Sequence, residues 1–513
     1  MQKEIFLFIL FEKDKKGGYM EEQTILFIAS EMTPFVKTGG LGDVVGALPK
    51  NLVKMGMNVK VILPLYSCID YQKFNLQKVT EGNCVNMGNC QEFFSVHKSS
   101  YISGVDVYFI EFNKYFDRNG VYDDRMTRQG YQDNGYRYAF FNKAALQTAK
   151  DLGIHAQILH LHDWHTGLIP YYIKTSQDPF FKGMKTLLTI HNLPHQGRFG
   201  ADVVPYAGIG WDAFNAGAFE DYGCINFLKG GIRFADKLNT VSPNYAREIL
   251  TPEFGAGLDW LLRERQSDLS GILNGIDTEL WNPKKDLIIP EKYSYKTSET
   301  GKEENKRHLV QKMGLESVNK PVISMCVRLS EQKGIKMLAE CIEPVVQNME
   351  TQFVIMGQGE KWANEYFGSL PHKYPGKIAV DIGYNTEKEH LMCSGADFAL
   401  VPSLYEPCGL AQMVSQTYGA LPIVRSTGGL EDTVLNYNEY YGVGTGFKFN
   451  DVSASALYNT IGWANATYYD RPEHIVRMRE MAMQKNYSWK ESCKDYQNLY
   501  QQMSGEFLCK KST

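Results

Sequence analysis

The sequence has no apolar run long enough to span a bilayer. IFLFILF, residues 5–11, is too short, and the EKDKKGG that follows has no small-residue cleavage site, so it also makes a poor secretory signal. Basic residues are not in excess. The 54 Lys and Arg against 58 Asp and Glu give a net charge of −4, which leaves no footprint for nucleic acid. The 10 cysteines form no C-x-x-C pair, which points to free thiols in a reducing compartment, the cytoplasm. Two common nucleotide loops are missing as well. The glycine turn KTGGLGDVVGALPK, residues 37–50, has its lysine before the glycines and Asp43 after Gly42, where a P-loop needs Lys-Ser/Thr. Its glycines at 39, 40, 42 and 46 do not give G-x-G-x-x-G either.

A composition of 43% apolar and 22% charged residues is that of a globular chain, and 513 residues exceed one ordinary core, so two domains are expected. Residues 1–19 read as an extension outside the fold, because Met20 stands just before the first convincing strand, TILFIAS at 24–30. Strand-like runs recur at 59–66, 105–112, 157–162, 185–191 and 237–242, with helical patterns between them such as 136–152. After the polar stretch NPKKDLIIPEKYSYKTSETGKEENK the alternation restarts, with runs at 322–329, 353–357, 378–384, 398–402 and 421–425. These runs are β-branched and apolar throughout, as in parallel strands covered by helices on both faces. The pattern predicts an α/β protein of two doubly wound, Rossmann-like domains, 20–270 and 271–490, facing a central cleft. Ligands of such sheets bind at the carboxyl ends of the strands.

The residues that could carry chemistry lie at those ends. The 37–50 turn is either an anion site built of backbone N–H groups or a plain tight connection, and the sequence leaves both open. HLHDWH (His160 to His165) ends a strand. A metal reading would use His160, His162 and His165, with His191 and His195 of HNLPH nearby. The pattern H-x-H-x-D-H, however, needs Asp where Trp164 stands. A histidine that hydrogen-bonds a polar ligand fits better, with His160, inside the strand, as a core residue. In RLSEQKG, Arg328 and Lys333 could reach one anion, the first as a planar fork and the second as a mobile point charge. Glu406 leaves another strand end in VPSLYEPCGLAQM, and STGGLEDTV is a second glycine turn that opens a helix. No D-x-D occurs, so a diphosphate would have to be held by protein cations: Arg328, Lys333 and the helix start after Gly429.

Taken in order, KTGGLGDVVGALP, HLHDWHTGLIP, TIHNLPHQGRF, TVSPNYAREI, TPEFGAGLD, GILNGIDTELWNP, VRLSEQKG, VPSLYEPCGL and STGGLEDTV resemble the bacterial glycogen synthases and plant starch synthases. The resemblance runs from about Thr24 to Tyr500 and includes DNGYRYAFFNKAAL and YSWKESCKDYQNLY. It implies the type B glycosyltransferase fold and a closing helix, 491–513, that packs back on the first domain. The activity implied is transfer of glucose, with retention, from a nucleotide diphosphate glucose to the non-reducing 4-OH of an α-1,4-glucan such as glycogen. ADP-glucose is the expected donor and UDP-glucose the alternative, with no metal, other cofactor, nucleic acid or membrane involved.

Carried over by motif, Lys37 lies near the phosphates, Gly39 and Gly40 let the chain pass close to the donor, and Asp43 lies near the nucleotide. His162 matches the histidine whose family counterpart touches the transferred glucose. Arg328 and Lys333 match the pair that grips the diphosphate, Glu406 matches the glutamate beside the sugar, and Cys408 is expected in the same loop near the nucleotide. Tyr384 matches the tyrosine that stacks on the base, and Thr427, Gly428 and Gly429 are expected to form the phosphate turn. The broader retaining class often has a second glutamate where this chain has Val414, which the narrower family also commonly lacks. The other readings are a metallohydrolase built on the HLHDWH histidines, a glucan-binding protein without catalysis, and a related glucosyltransferase with another acceptor.

Overall fold

The computed structural model describes residues 24–505. The expected extension at 1–19 and the last part of the expected closing helix, 506–513, lie outside the described residues. Most of the chain is carried by two sheets. The first runs, in spatial order, Leu269–Gly271, Lys237–Thr240, Lys185–Ile190, Ile158–His162, Thr24–Ile28, Asn58–Pro64, Asp106–Glu111, Cys90–Ser99 and Gln77–Met87. Its strands are parallel as far as Asp106–Glu111, and the Cys90–Ser99/Gln77–Met87 hairpin is added antiparallel. The second sheet, entirely parallel, runs Ile378–Ile382, Gln352–Gly357, Val322–Cys326, Phe398–Val401, Leu421–Arg425 and Phe447–Phe449. A small antiparallel sheet (Arg198–Gly200, Cys224–Asn226, Glu220–Asp221) lies on the first domain's side.

Burial explains the composition of the central strands. Thr24–Ile28 and Ile158–His162 are buried at every position, because helices cover both faces. In each sheet the strand order reverses at the centre, beside Thr24–Ile28 in the first and Val322–Cys326 in the second. At such a switch point neighbouring connections part to opposite faces and leave a crevice at the carboxyl ends. Several strands stop short of their expected ends: Val322–Cys326, Lys185–Ile190, Lys237–Thr240 and Ile378–Ile382. The residues beyond them, Arg328, His191 and Tyr384 among them, leave the ladder and enter the crevice loops.

The helix Trp489–Ser504 returns to the first domain. It buries Trp489, Cys493, Tyr496 and Tyr500 in that domain's core and packs on the helix Gly40–Lys54. Two hydrogen bonds pin it to the sheet: Tyr500 Oη with His160 Nδ1 at 2.8 Å, and Asn239 Nδ2 to Tyr496 Oη at 3.0 Å. Among the described residues no helix is long and apolar enough to cross a membrane.

Candidate active site

The 37–50 turn opens the helix Gly40–Lys54, with Gly39 at its N-cap and no side-chain cap on it. The anion on its amides belongs to the chain. Glu31 Oε2 accepts from Thr38 N and, at 3.0 Å, from Gly39 N, while Tyr122 Oη donates to Glu31 Oε1 at 2.6 Å. Burial pushes the Glu31 carboxyl above its ordinary range, against these hydrogen bonds. A Cβ on Gly39 or Gly40 would meet nothing, so the turn faces open space, whereas one on Gly46 would come within 2.6 Å of the Thr33 carbonyl. Lys37 Nζ pairs with Asp43 at 2.8 Å.

A cavity of about 540 Å³ separates the carboxyl ends of the two sheets. Lys37, Asp43 and Lys50 line it from the first domain, and Cys326, Tyr384 and Glu389 from the second. Its volume is in the range of small-molecule sites. Lys50 also reaches across the join to Asp277 at 3.3 Å. Arg328, Lys333, Glu406, Cys408 and His162 do not line this cavity.

In the second domain Lys333 Nζ lies 2.5 Å from Glu406 Oε2, which also accepts from Ser403 Oγ at 2.8 Å. Lys333 is delivered by a tight turn that ends at Gly334, with φ +72°. A Cβ there would lie 2.0 Å from the Pro402 carbonyl, so glycine is required. Arg328 is exposed and makes no ion pair or side-chain hydrogen bond among the described residues. Its charge acts across the join on His195, adding to the burial that holds this imidazole below its ordinary range. Cys408 is buried, and its thiol is pushed up to about 12, chiefly by desolvation.

Thr427, Gly428 and Gly429 sit against the Glu406–Cys408 loop. Cβ atoms on the two glycines would lie 1.9 Å from the Glu406 carbonyl and 2.0 Å from that of Cys408, and Gly429 N donates to the Glu406 carbonyl at 3.0 Å. The group on the expected phosphate turn is again a carboxylate of the chain. Glu248, from the first domain, accepts from Gly428 N at 2.9 and 3.0 Å and from Thr427 Oγ1 at 3.3 Å. Ser242 Oγ donates to the Pro407 carbonyl at 2.7 Å in the same interface.

The histidines divide by their partners. His160 has both ring nitrogens engaged, with Tyr500 Oη and Thr189 Oγ1, each at 2.8 Å. His162 is fully buried; its Nδ1 lies 3.0 Å from His191 Nε2, and its Nε2 has no partner among the described residues. Burial holds His162 well below its ordinary value and His191 at about 3, so both rings are neutral at pH 7. Asp163 ties the two strand ends together by accepting from His191 N at 2.7 Å, and burial raises its carboxyl to about 7. It does so at φ 54° and ψ −169°, a conformation that side chains rarely adopt. Among the described residues no group of three or more His, Cys, Asp and Glu converges to hold a metal. Sequence reasoning missed Glu31, Glu248, His191 as a partner of His162, and Glu389.

Two family descriptions match the chain: "Starch synthase catalytic domain" over residues 24–264 and "Glycosyl transferases group 1" over 309–475. Glycogen synthase 1 of Geobacter metallireducens is 44% identical over 486 residues, covering 94% of this chain and 96% of that protein. The solved catalytic domain of starch synthase IV from Arabidopsis thaliana, bound to ADP and acarbose, superposes with a TM-score of 0.84 at 29% identity, covering 95% of this chain and 100% of that one. Sucrose-phosphate synthase of Thermosynechococcus elongatus, at 17% identity and a TM-score of 0.57 over 94% of this chain and 99% of that one, shares the fold alone. With near-full-length identity to a glycogen synthase and glycosyltransferase matches in both halves, the chain belongs to the family of bacterial glycogen synthases and starch synthases and is a glycosyltransferase of the two-Rossmann, type B fold.

Proposed function

We propose that the protein elongates an α-1,4-glucan, moving glucose from ADP-glucose to the 4-OH of a non-reducing end with retention and without a metal ion. The observation that carries this reading is the Lys333–Glu406 contact, with Arg328 nearby in sequence and free of a carboxylate partner among the described residues. Breaking the anomeric C–O bond builds positive charge on the sugar and negative charge on the departing diphosphate. Fixed cations at the leaving oxygen act more strongly on that state than on the bound donor, which lowers the barrier. Glu406 then faces the cationic sugar, and the unpartnered His162 Nε2 offers a hydrogen bond to the glucose. The acceptor oxygen forms its bond to the anomeric carbon on the face the phosphate leaves, and its proton passes to the departing phosphate.

ADP as the nucleotide is supported by the ligand named for the Arabidopsis starch synthase IV structure. A cytoplasmic location is supported by the described cysteines, which are all free thiols. The test offers purified protein ADP-glucose and UDP-glucose separately, with and without glycogen primer, in excess EDTA. Primer-dependent transfer from ADP-glucose that persists in chelator is expected. Transfer from UDP-glucose alone, or activity lost to EDTA and restored by zinc or magnesium, would overturn the reading.

A further inference from the structure

We propose that Glu389 selects the donor base, favouring adenine over uracil. The inference rests on the reading of Tyr384 as the ring on which the base stacks. Tyr384 follows Gly383 just beyond the strand Ile378–Ile382 and is 68% exposed. Glu389 lies near the start of the helix Thr386–Gly395, and Tyr384 Oη donates to its Oε2. On the other oxygen, Cys326 Sγ donates to Oε1 at 3.7 Å. Tyr384, Glu389 and Cys326 all line the cavity between the sheets.

An ionised carboxylate only accepts hydrogen bonds and has about four lone-pair sites on its two oxygens. The phenol and the thiol engage one site on each oxygen, which leaves capacity on both for a donor from the cavity. Because the carboxylate is bonded to the phenol tip, a base lying on the Tyr384 ring meets it edge-on. Adenine carries an exocyclic amine, which donates, and no exocyclic carbonyl. Uracil's one donor, N3–H, is flanked by two carbonyls, whose lone pairs would face the anion as it approached. Cys326, Met392 and Cys393, which also line the cavity, supply at most weak thiol donors to a carbonyl. A site built to accept a hydrogen bond discriminates against a ligand whose donor reaches it only with carbonyl oxygens set against the carboxylate.

The test compares kcat/KM for ADP-glucose and UDP-glucose in the wild type, Glu389→Gln and Glu389→Ala. The wild type should prefer ADP-glucose. Loss of a hydrogen bond to a charged group, about 1.5–3 kcal/mol, should lower the ADP-to-UDP ratio about 10- to 100-fold in Glu389→Ala, and less through this bond in Glu389→Gln, whose amide oxygen still accepts from adenine. The glutamine amide can donate to a uracil carbonyl, so Glu389→Gln should also use UDP-glucose better than the wild type does, a gain that misfolding cannot produce. A ratio within twofold of wild type in both variants, or a wild type that prefers UDP-glucose, would overturn the proposal. A wild type inactive with both donors would instead overturn the reading of the function.

Discussion

Glu248, the last residue of the helix Pro243–Glu248 in the first domain, holds the amide of Gly428 in the second domain at 2.9 and 3.0 Å. The neighbouring amide, Gly429 N, holds the Glu406 carbonyl at 3.0 Å. One carboxylate thus links the first domain to the backbone that carries Glu406.

Removing that link should disturb the position of Glu406. Glu248→Ala is expected to lower turnover about tenfold or more, the equivalent of one hydrogen bond to a charged group, with a smaller change in donor KM. Glu248→Gln keeps an acceptor oxygen and should recover part of the loss. Steady-state kinetics of both variants decide it, and wild-type turnover in Glu248→Ala would disprove the link.

Lys333 and Glu406 touch, so their substitutions should not combine independently. Lys333→Ala removes a cation from the leaving group, and by analogy with lost transition-state donors should cost about 2.7–4 kcal/mol, or 100- to 1,000-fold in turnover. It also leaves Glu406 with Ser403 as its remaining side-chain partner. The double variant Lys333→Ala/Glu406→Gln should be far less impaired than the product of the two single losses, because each removes part of one shared interaction. A double-mutant cycle with additive free energies would refute the coupling.

His191 fixes the ring of His162 through a 3.0 Å contact. His191→Ala should free that ring and lower turnover while leaving donor KM within about threefold, since a disordered hydrogen-bonding group matters most as the bond stretches. His191→Gln supplies an amide to the same nitrogen and should restore part of the rate. Equal effects on KM and turnover, without rescue, would mark His191 as a packing residue only.

Asp163 gives a pH test. Its folded-state carboxyl, raised to about 7 from an ordinary value of 3.8, holds a proton that the unfolded chain has already released between those values. Its contribution is therefore greatest below 3.8 and is lost as pH rises through that window, until it is exhausted above about 7. Asp163→Asn removes this dependence and keeps an acceptor for His191 N. The stability of the variant relative to wild type should climb with pH from about 4 to 7, by up to about 1.4 kcal/mol per unit, and then level off. Denaturant unfolding of both proteins across this range measures it, and a flat difference would contradict the assignment.

The parallel strands were legible because burial on both faces leaves continuous apolar runs, and the turns because glycine is demanded where a backbone passes close by, as at Gly334 and Gly428. The Gln77–Met87/Cys90–Ser99 hairpin escaped notice because Gln77–Met87 is largely exposed and lacks such a run. Its Gly88-Asn89 turn was the available signal. Both glycine turns suggested a bound anion, and the sequence could not show that each already carries a glutamate. Glu248 lies 180 residues from Gly428, and nothing local to either residue announces the contact. Separations of 29 and 73 residues likewise hide the His162–His191 contact and the pairing of Lys333 with Glu406, which depend on which strand ends become neighbours.

The helix Trp489–Ser504 has a consequence for synthesis. Tyr496 and Tyr500 complete the core of the domain whose first strand is Thr24–Ile28. Domains generally fold in order as they leave the ribosome. Here the earlier-made domain cannot close its core until the later-made one has been translated in full. On the ribosome, the first sheet must therefore wait with an open apolar flank while the second domain emerges, the kind of exposed surface that makes a nascent chain prone to aggregation.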